Sequence, residues 1–256
     1  MNPSIITTLR VFVPFALGYF LSYLYRVVNV VIAPDLVSDL GVGPSELGLL
    51  TAIYFISFAS VQLPLGVLLD RFGPRKMEAF LLVFAGLGAF AFARAGTLTG
   101  LVIGRAFIGF GVAACLMAAF KAYVLWFPKQ QWPLANGFQM AAGGLGALAA
   151  TTPVEAALQV TDWRGIFTML ALFTLLAAVI IFLVVPEKPV REKGESFGDQ
   201  MRGVRQVFSS LEFWRTAPLT TVSQASFLSI QGLWTGPWLK DVAGMIAQPW
   251  PNRYCG

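Results

Sequence analysis

Tyr19, Ser22, Arg26 and Asn29 follow one another at steps of three, four and three, the spacing that places side chains on one face of a helix. They interrupt an otherwise apolar run, and a charge in such a run marks an interior cavity, an ion pair or a ligand path. Arg105 interrupts a second run, VIGRAFIGFG at 102–111, in the same way. Neither run offers an acidic partner at that depth, because Asp35 and Glu155 lie closer to the segment ends. Arg is suited to gripping a carboxylate or phosphate through two parallel hydrogen bonds. Arg26 and Arg105 are therefore candidate ligands for an anion. The competing reading is structural: Arg105 bonds carbonyls of the first helix and Arg26 extends toward water.

Weaker polar candidates lie in other apolar segments: Tyr54 with Ser57, Asn136 with Gln139, and Gln224 with Gln231, each pair at a spacing that fits one helix face. An uncharged amide or hydroxyl in such a helix more often bridges to a neighbouring helix than meets a ligand. Gly137, Gly143, Gly144 and Gly146 read as close-packing positions. The phosphate-loop, serine-elbow and zinc-protease patterns are all absent, so no enzyme motif competes. The chain has no histidine, and Cys115 and Cys255 form no pattern of metal ligands or disulfides. We expect no cofactor and no metal.

Seven segments are long and apolar enough to position these residues across a bilayer, roughly 11–33, 47–69, 77–94, 97–120, 133–157, 164–185 and 213–234. The composition agrees, with 57% hydrophobic and 12% charged residues and a mean hydropathy of +0.70. The net charge of +5 sits in short gaps between apolar runs, which argues for membrane topology and against a nucleic-acid partner. The first run ends in Pro34-Asp35 without a small-residue cleavage pattern, so it reads as a retained span. Lys and Arg gather on one side of the alternating helices, around Arg10, Arg71, Arg75, Lys76, Lys121, Lys129 and the 186–212 linker, which places the N-terminus in the cytoplasm. Both the first and the seventh segments leave through the pattern P-x-L-x4-G, at 34–41 and 237–244. Segment seven thus reads as the first helix of a second, similar half.

The turn between segments two and three, GVLLDRFGPRK at 66–76, combines Gly66, Asp70, Arg71, Gly73, Arg75 and Lys76. Gly66 permits close helix approach and Gly73 a chain reversal; Asp70 at a helix end has arginines or a helix N-terminus as partners. This stretch resembles the signature of the major facilitator superfamily of secondary transporters. VIGRAFIGFG resembles that family's fourth-helix motif, and VVPEKP at 184–189 the acidic-proline ending of its sixth helix. The resemblance implies an all-α membrane protein, with a six-helix N-terminal bundle over 1–185, a cytoplasmic linker over 186–212, and a second half beginning with helix seven over 213–245. It also implies that the 66–76 turn forms a conformational latch.

YLYRVVNVVIAPDL at 23–36 further resembles the organic-anion symporter branch. Members of that branch commonly carry an acidic residue, implicated in proton coupling, before this arginine. Here the position is Tyr25. The family implies a multi-pass inner-membrane transporter of a small organic anion working by alternating access. Tyr19, Ser22, Asn29, Tyr54, Gln139, Gln224 and Gln231 would line the path beside the two arginines. Family members ordinarily have twelve spans, whereas the tail IAQPWPNRYCG at 246–256 lacks an apolar run; the chain therefore reads as truncated or frameshifted, with self-association as another way to complete a cavity. An exporter of drugs or metabolites, or a membrane module without transport, are the alternatives.

Overall fold

A computed structural model describes residues 5–188 and 197–230, and the described residues are helical with no strand. The chain divides into two compact units, 1–194 and 195–256. In the first, the helices in chain order are α1 (Ile5–Val31), α2 (Ala33–Leu40), α3 (Pro44–Phe72), α4 (Pro74–Ala93), α5 (Leu98–Gly111), α6 (Cys115–Trp126), α7 (Trp132–Ala149), α8 (Thr152–Leu158) and α9 (Trp163–Val184). In the second they are α10 (Phe197–Phe208) and α11 (Leu211–Ser229).

The helix boundaries follow local chemistry. The Gly43 N–H donates to Glu46 Oε2 at 2.6 Å at the start of α3, and Asp162 caps α9 by accepting from the Gly165 N–H at 2.8 Å. Between α3 and α4, Gly73 adopts φ 80°, a conformation that side-chain-bearing residues rarely reach. Pro74 then opens α4, where its missing N–H costs nothing.

Three expected spans differ in detail. The segment at 97–120 is α5 and α6 joined by a turn at 112–114, which together make one span, Leu98–Trp126. The segment at 133–157 breaks at 150–151, where α8 restarts with Pro153 in its first turn. A proline there removes an N–H that a continuous helix would use. Among the described residues, five helical stretches are long and apolar enough to cross a membrane, where seven segments were expected along the whole chain. The amides Asn136 and Gln139 and the glycines of α7 lower its apolarity. In α11, Arg215, Ser223 and Gln224 do the same. Residues 231–234 of the seventh segment, Gln231 and the second P-x-L-x4-G copy lie outside the described residues. In the first copy, Gly41 ends α2 at φ 65°.

In the first unit, α4 packs against α5 and α9, α3 against α5, and α1 against α7, α6 and α9. Phe92 of α4 stacks on Phe167 of α9 with ring centroids 4.3 Å apart. Outward positions are apolar as well: Ile56, Leu145, Leu172 and Leu183 are all exposed, as expected of helices whose solvent is lipid. Such helices attract one another through close contact, and this depends on small residues. A Cβ on Gly146 of α7 would stand 2.1 Å from the Phe20 carbonyl oxygen of α1, and one on Gly111 of α5 would stand 2.2 Å from the Ala85 nitrogen of α4.

Within the second unit, the Trp214 indole N–H donates to the Phe208 carbonyl at 2.7 Å, and its ring packs on Phe213. This joins α10 to the start of α11.

These contacts yield a stability prediction. Gly146→Ala should destabilise the bundle by about 1–3 kcal/mol, the usual cost of forcing extra volume into a packed contact. Gly137→Ala, on the same helix but with open space around it, should be neutral or slightly stabilising. Thermal unfolding of the two variants in detergent is the measurement, and equal melting temperatures would contradict the assigned α1–α7 contact.

Candidate functional site

Arg26 lies on α1 with its guanidinium 4.6 Å from the Tyr23 ring centre, 5.5 Å from Phe58 and 5.8 Å from Phe55. The last two rings come from α3, so the cation sits in an aromatic frame built by two helices. It is half-buried, its Nε has no hydrogen-bond partner, and no carboxylate pairs with it among the described residues. Arg105 differs. Its side chain is fully enclosed, with Nη1 donating to the Tyr25 carbonyl at 3.0 Å. Its guanidinium also stands 4.9 Å from the Tyr54 ring centre. Tyr54 connects the two arginines, since its hydroxyl donates to the Ser22 carbonyl at 3.3 Å and the residue also neighbours Arg26.

The other polar residues of the expected stripe are buried: Tyr19, Ser22 and Asn29. Tyr19 donates to the Met140 sulfur at 3.7 Å and packs edge-on against Tyr23. Asn29 Oδ1 is enclosed without a partner among the described residues. Gln139 bridges helices: its Oε1 accepts from the Tyr123 hydroxyl at 2.6 Å and its Nε2 donates to the Phe15 carbonyl at 3.2 Å. Ser57 and Asn136 are half-buried on their helices, and Gln224 is exposed on α11 in the second unit. Tyr25 follows the same bridging pattern. Thr174 gives its own proton to the Leu170 carbonyl, so the Tyr25 hydroxyl donates to Thr174 Oγ1 at 2.8 Å, fastening α1 to α9.

A second constellation occupies the end of the bundle where α3 turns into α4. Asp70 pairs with Lys121 of α6 at 2.5 Å. Within this unit its partner is thus a lysine, not the arginines of its own motif. Those basic residues reach elsewhere: Lys76 pairs with Glu187, and Arg75 approaches the same carboxylate at 3.8 Å. Arg71 is exposed over the Phe72 ring, and Gly66 faces open space. A recess of about 240 Å³ at this end is bordered by Arg71, Arg75, Lys76, Glu187 and Lys188. At the opposite end, Asp39 of α2 accepts from Trp163 Nε1 at 2.9 Å and from Arg164 at 3.1 Å. Sequence reasoning singled out neither Glu187 as a partner nor Asp39, although the acidic-proline ending of α9 was itself a signal for the former. Among the described residues there is no cluster of metal-ligating side chains.

Apolar helices hold a partly accessible cation, without an ionic partner among the described residues, inside a bundle whose end carries a charged turn, as in a membrane transporter. The comparisons make the class specific. The Major Facilitator Superfamily model matches residues 15–246, and the chain belongs to that family. It is 26% identical over 241 residues to a probable sulfoacetate transporter of Cupriavidus necator, covering 89% of this chain and 56% of that protein. It is 29% identical over 151 residues to the hexuronate transporter of Escherichia coli, covering 59% and 35%. It is also 25% identical over 221 residues to a probable nitrate/nitrite antiporter of Thermus thermophilus, covering 81% and 48%. The chain spans about half the length of the curated relatives it matches. It is a multi-pass membrane protein, and its relatives are transporters, not enzymes.

The Glu187 pair makes a pH prediction. The hydrogen bond from Lys76, opposed by slight desolvation and assisted by the charges of Lys76 and Arg75, holds the Glu187 carboxyl below its ordinary value. A depressed carboxylate stabilises the fold above its unfolded-state value and loses that contribution as pH falls through the lower folded value. Wild type should therefore melt above Glu187→Gln at neutral pH, and the difference should vanish once the pH drops below the usual carboxylate range. A difference that persisted in acid would show that the pair is not its source.

Proposed function

We propose that this chain supplies the anion-recognising half of a secondary transporter that moves a small organic anion across the cytoplasmic membrane by alternating access, with Arg26 contacting the negative group. The observation that carries this reading is the half-buried Arg26 guanidinium, which has no carboxylate partner among the described residues and is framed by Tyr23, Phe55 and Phe58. An aromatic frame restricts the cation without neutralising it, which leaves its N–H donors for a ligand carboxylate. The sulfoacetate and hexuronate transporters among the relatives carry anionic substrates by name, which supports the same class.

The two arginines have different roles in this proposal. Arg105 is committed to the Tyr25 carbonyl and the Tyr54 ring, so it fixes the helix on which Arg26 stands. Tyr54 positions both, and Tyr19, Ser22 and Asn29 shape the α1 face. Gln139 bridges α1, α6 and α7. Lys and Arg placement puts the N-terminus and the α3–α4 turn on the cytoplasmic side, where the Asp70–Lys121 and Lys76–Glu187 pairs act as a latch with Gly66 and Gly73.

Calorimetric titration of the chain in lipid nanodiscs with glucuronate and with sulfoacetate tests the site. Arg26→Ala should weaken binding at least tenfold, since a hydrogen bond to a charged group is worth about 1.5–3 kcal/mol. Arg26→Lys should recover only part, because an ammonium lacks the planar fork. Unchanged affinity in Arg26→Ala would remove the assignment. A lipophilic cation that bound in place of both anions would favour the exporter reading.

A further inference from the structure

Glu78 belongs to no motif, and it is the one fully buried carboxyl among the described residues. It lies one turn into α4, and its neighbours at helical spacing, Leu82, Ala85 and Ala89, are also fully enclosed. Neither carboxyl oxygen has a hydrogen-bond partner among the described residues. The surroundings are shaped around the group. A Cβ on Gly18 of α1 would stand 2.1 Å from Glu78 Oε1, so the carboxyl fills the space that the glycine leaves. Ile181 of α9 borders the same space, 3.7 Å from that Cβ position.

The titratable groups facing Glu78 are few. From α6 come the buried Cys115 thiol, next to the carboxyl, and Tyr123, whose hydroxyl proton is already given to Gln139. α1 faces it with Gly18 and α9 with Ile181, neither of which titrates. Among the described residues, α3 and α5 present no titratable group to it, and no cation faces it from any helix. Among the described residues, an ionised carboxylate would stand here with the weak Cys115 thiol as a donor and no counter-charge, which an apolar interior does not tolerate. The carboxylic acid fits the space without a partner charge.

We propose that Glu78 is a proton-binding site, occupied while Gly18 of α1 closes over its carboxyl. When Gly18 withdraws, water enters, the O–H bond breaks, the proton passes to water and a solvated carboxylate remains. This goes beyond anion recognition at Arg26 and does not rest on it. It gives the chain a proton carrier at a place other than the position before Arg26, where Tyr25 stands.

Infrared spectroscopy of the whole chain in nanodiscs, in light and heavy water, reads the proton directly. At neutral pH the wild type should show the carbonyl stretch of a protonated carboxyl, downshifting slowly in heavy water because the group is enclosed. Glu78→Gln should lose that band and shift the S–H stretch of Cys115, which Cys115→Ser identifies against Cys255. Gly18→Ala should also lose the band at neutral pH, because the added methyl displaces the carboxyl. Absence of the band from wild type at neutral pH, or its survival in Glu78→Gln, overturns the proposal. If Glu78→Gln fails to fold, titration of wild type decides: a band that disappears with the exposed carboxyls in mild acid overturns the site, and one that persists past neutrality supports it.

Discussion

The bundle depends on the distance at which helix backbones meet. In a lipid solvent there is little gain from hiding apolar side chains, so helices associate through close contact. Here that contact is made where a side chain is missing, at Gly146 against the Phe20 carbonyl and at Gly111 against the Ala85 backbone. Because α5 lies this close to α4 and α3, Arg105 can reach across to the Tyr25 carbonyl of α1. Because α7 lies this close to α1, Gln139 reaches the Phe15 carbonyl. The polar bridges thus depend on approaches that the glycines permit.

Once the backbones are placed, the polar side chains divide into those satisfied within the bundle and those left open. Tyr25, Tyr54, Tyr123 and Gln139 spend their donors on neighbouring helices, and Thr174 gives its own to the Leu170 carbonyl of α9 while accepting from Tyr25. Arg105 is partly satisfied, by one carbonyl and one aromatic face. Arg26 and Glu78, neither with an ionic partner among the described residues, differ in exposure: one is half-buried and the other enclosed. The difference in exposure separates their chemistry. A cation reachable from water attracts an anion, whereas an enclosed carboxyl is tolerated as the acid.

The sequence was most informative where the signal was periodic. Apolar runs located the helices, and the steps from Tyr19 to Asn29 identified the α1 face that carries Arg26. The three family motifs named the superfamily before any coordinate was needed. Pairing across the fold was less accessible. Asp70 and Lys121 are separated by 51 positions, and nothing local tells Asp70 to choose a lysine on α6 over the arginines beside it. Span boundaries failed where a chain break is cheap, at 112–114 and before Pro153. Glu78 was legible in principle, since it heads the buried stripe of Leu82, Ala85 and Ala89. The charges of Arg75 and Lys76 beside it made the whole stretch read as part of the polar turn.

The length of α3 has a consequence for the membrane itself. Its 29 residues extend about 43 Å at 1.5 Å per residue, well beyond a hydrocarbon layer of about 30 Å. The helix must tilt or emerge, and its last turn, with Asp70 and Arg71, then stands among lipid headgroups. Anionic headgroups there compete with Glu187 for Lys76 and Arg75. The surface charge of the host membrane therefore sets how firmly the turn is tied to the end of α9, and the lipid becomes one of the counter-ions of the protein.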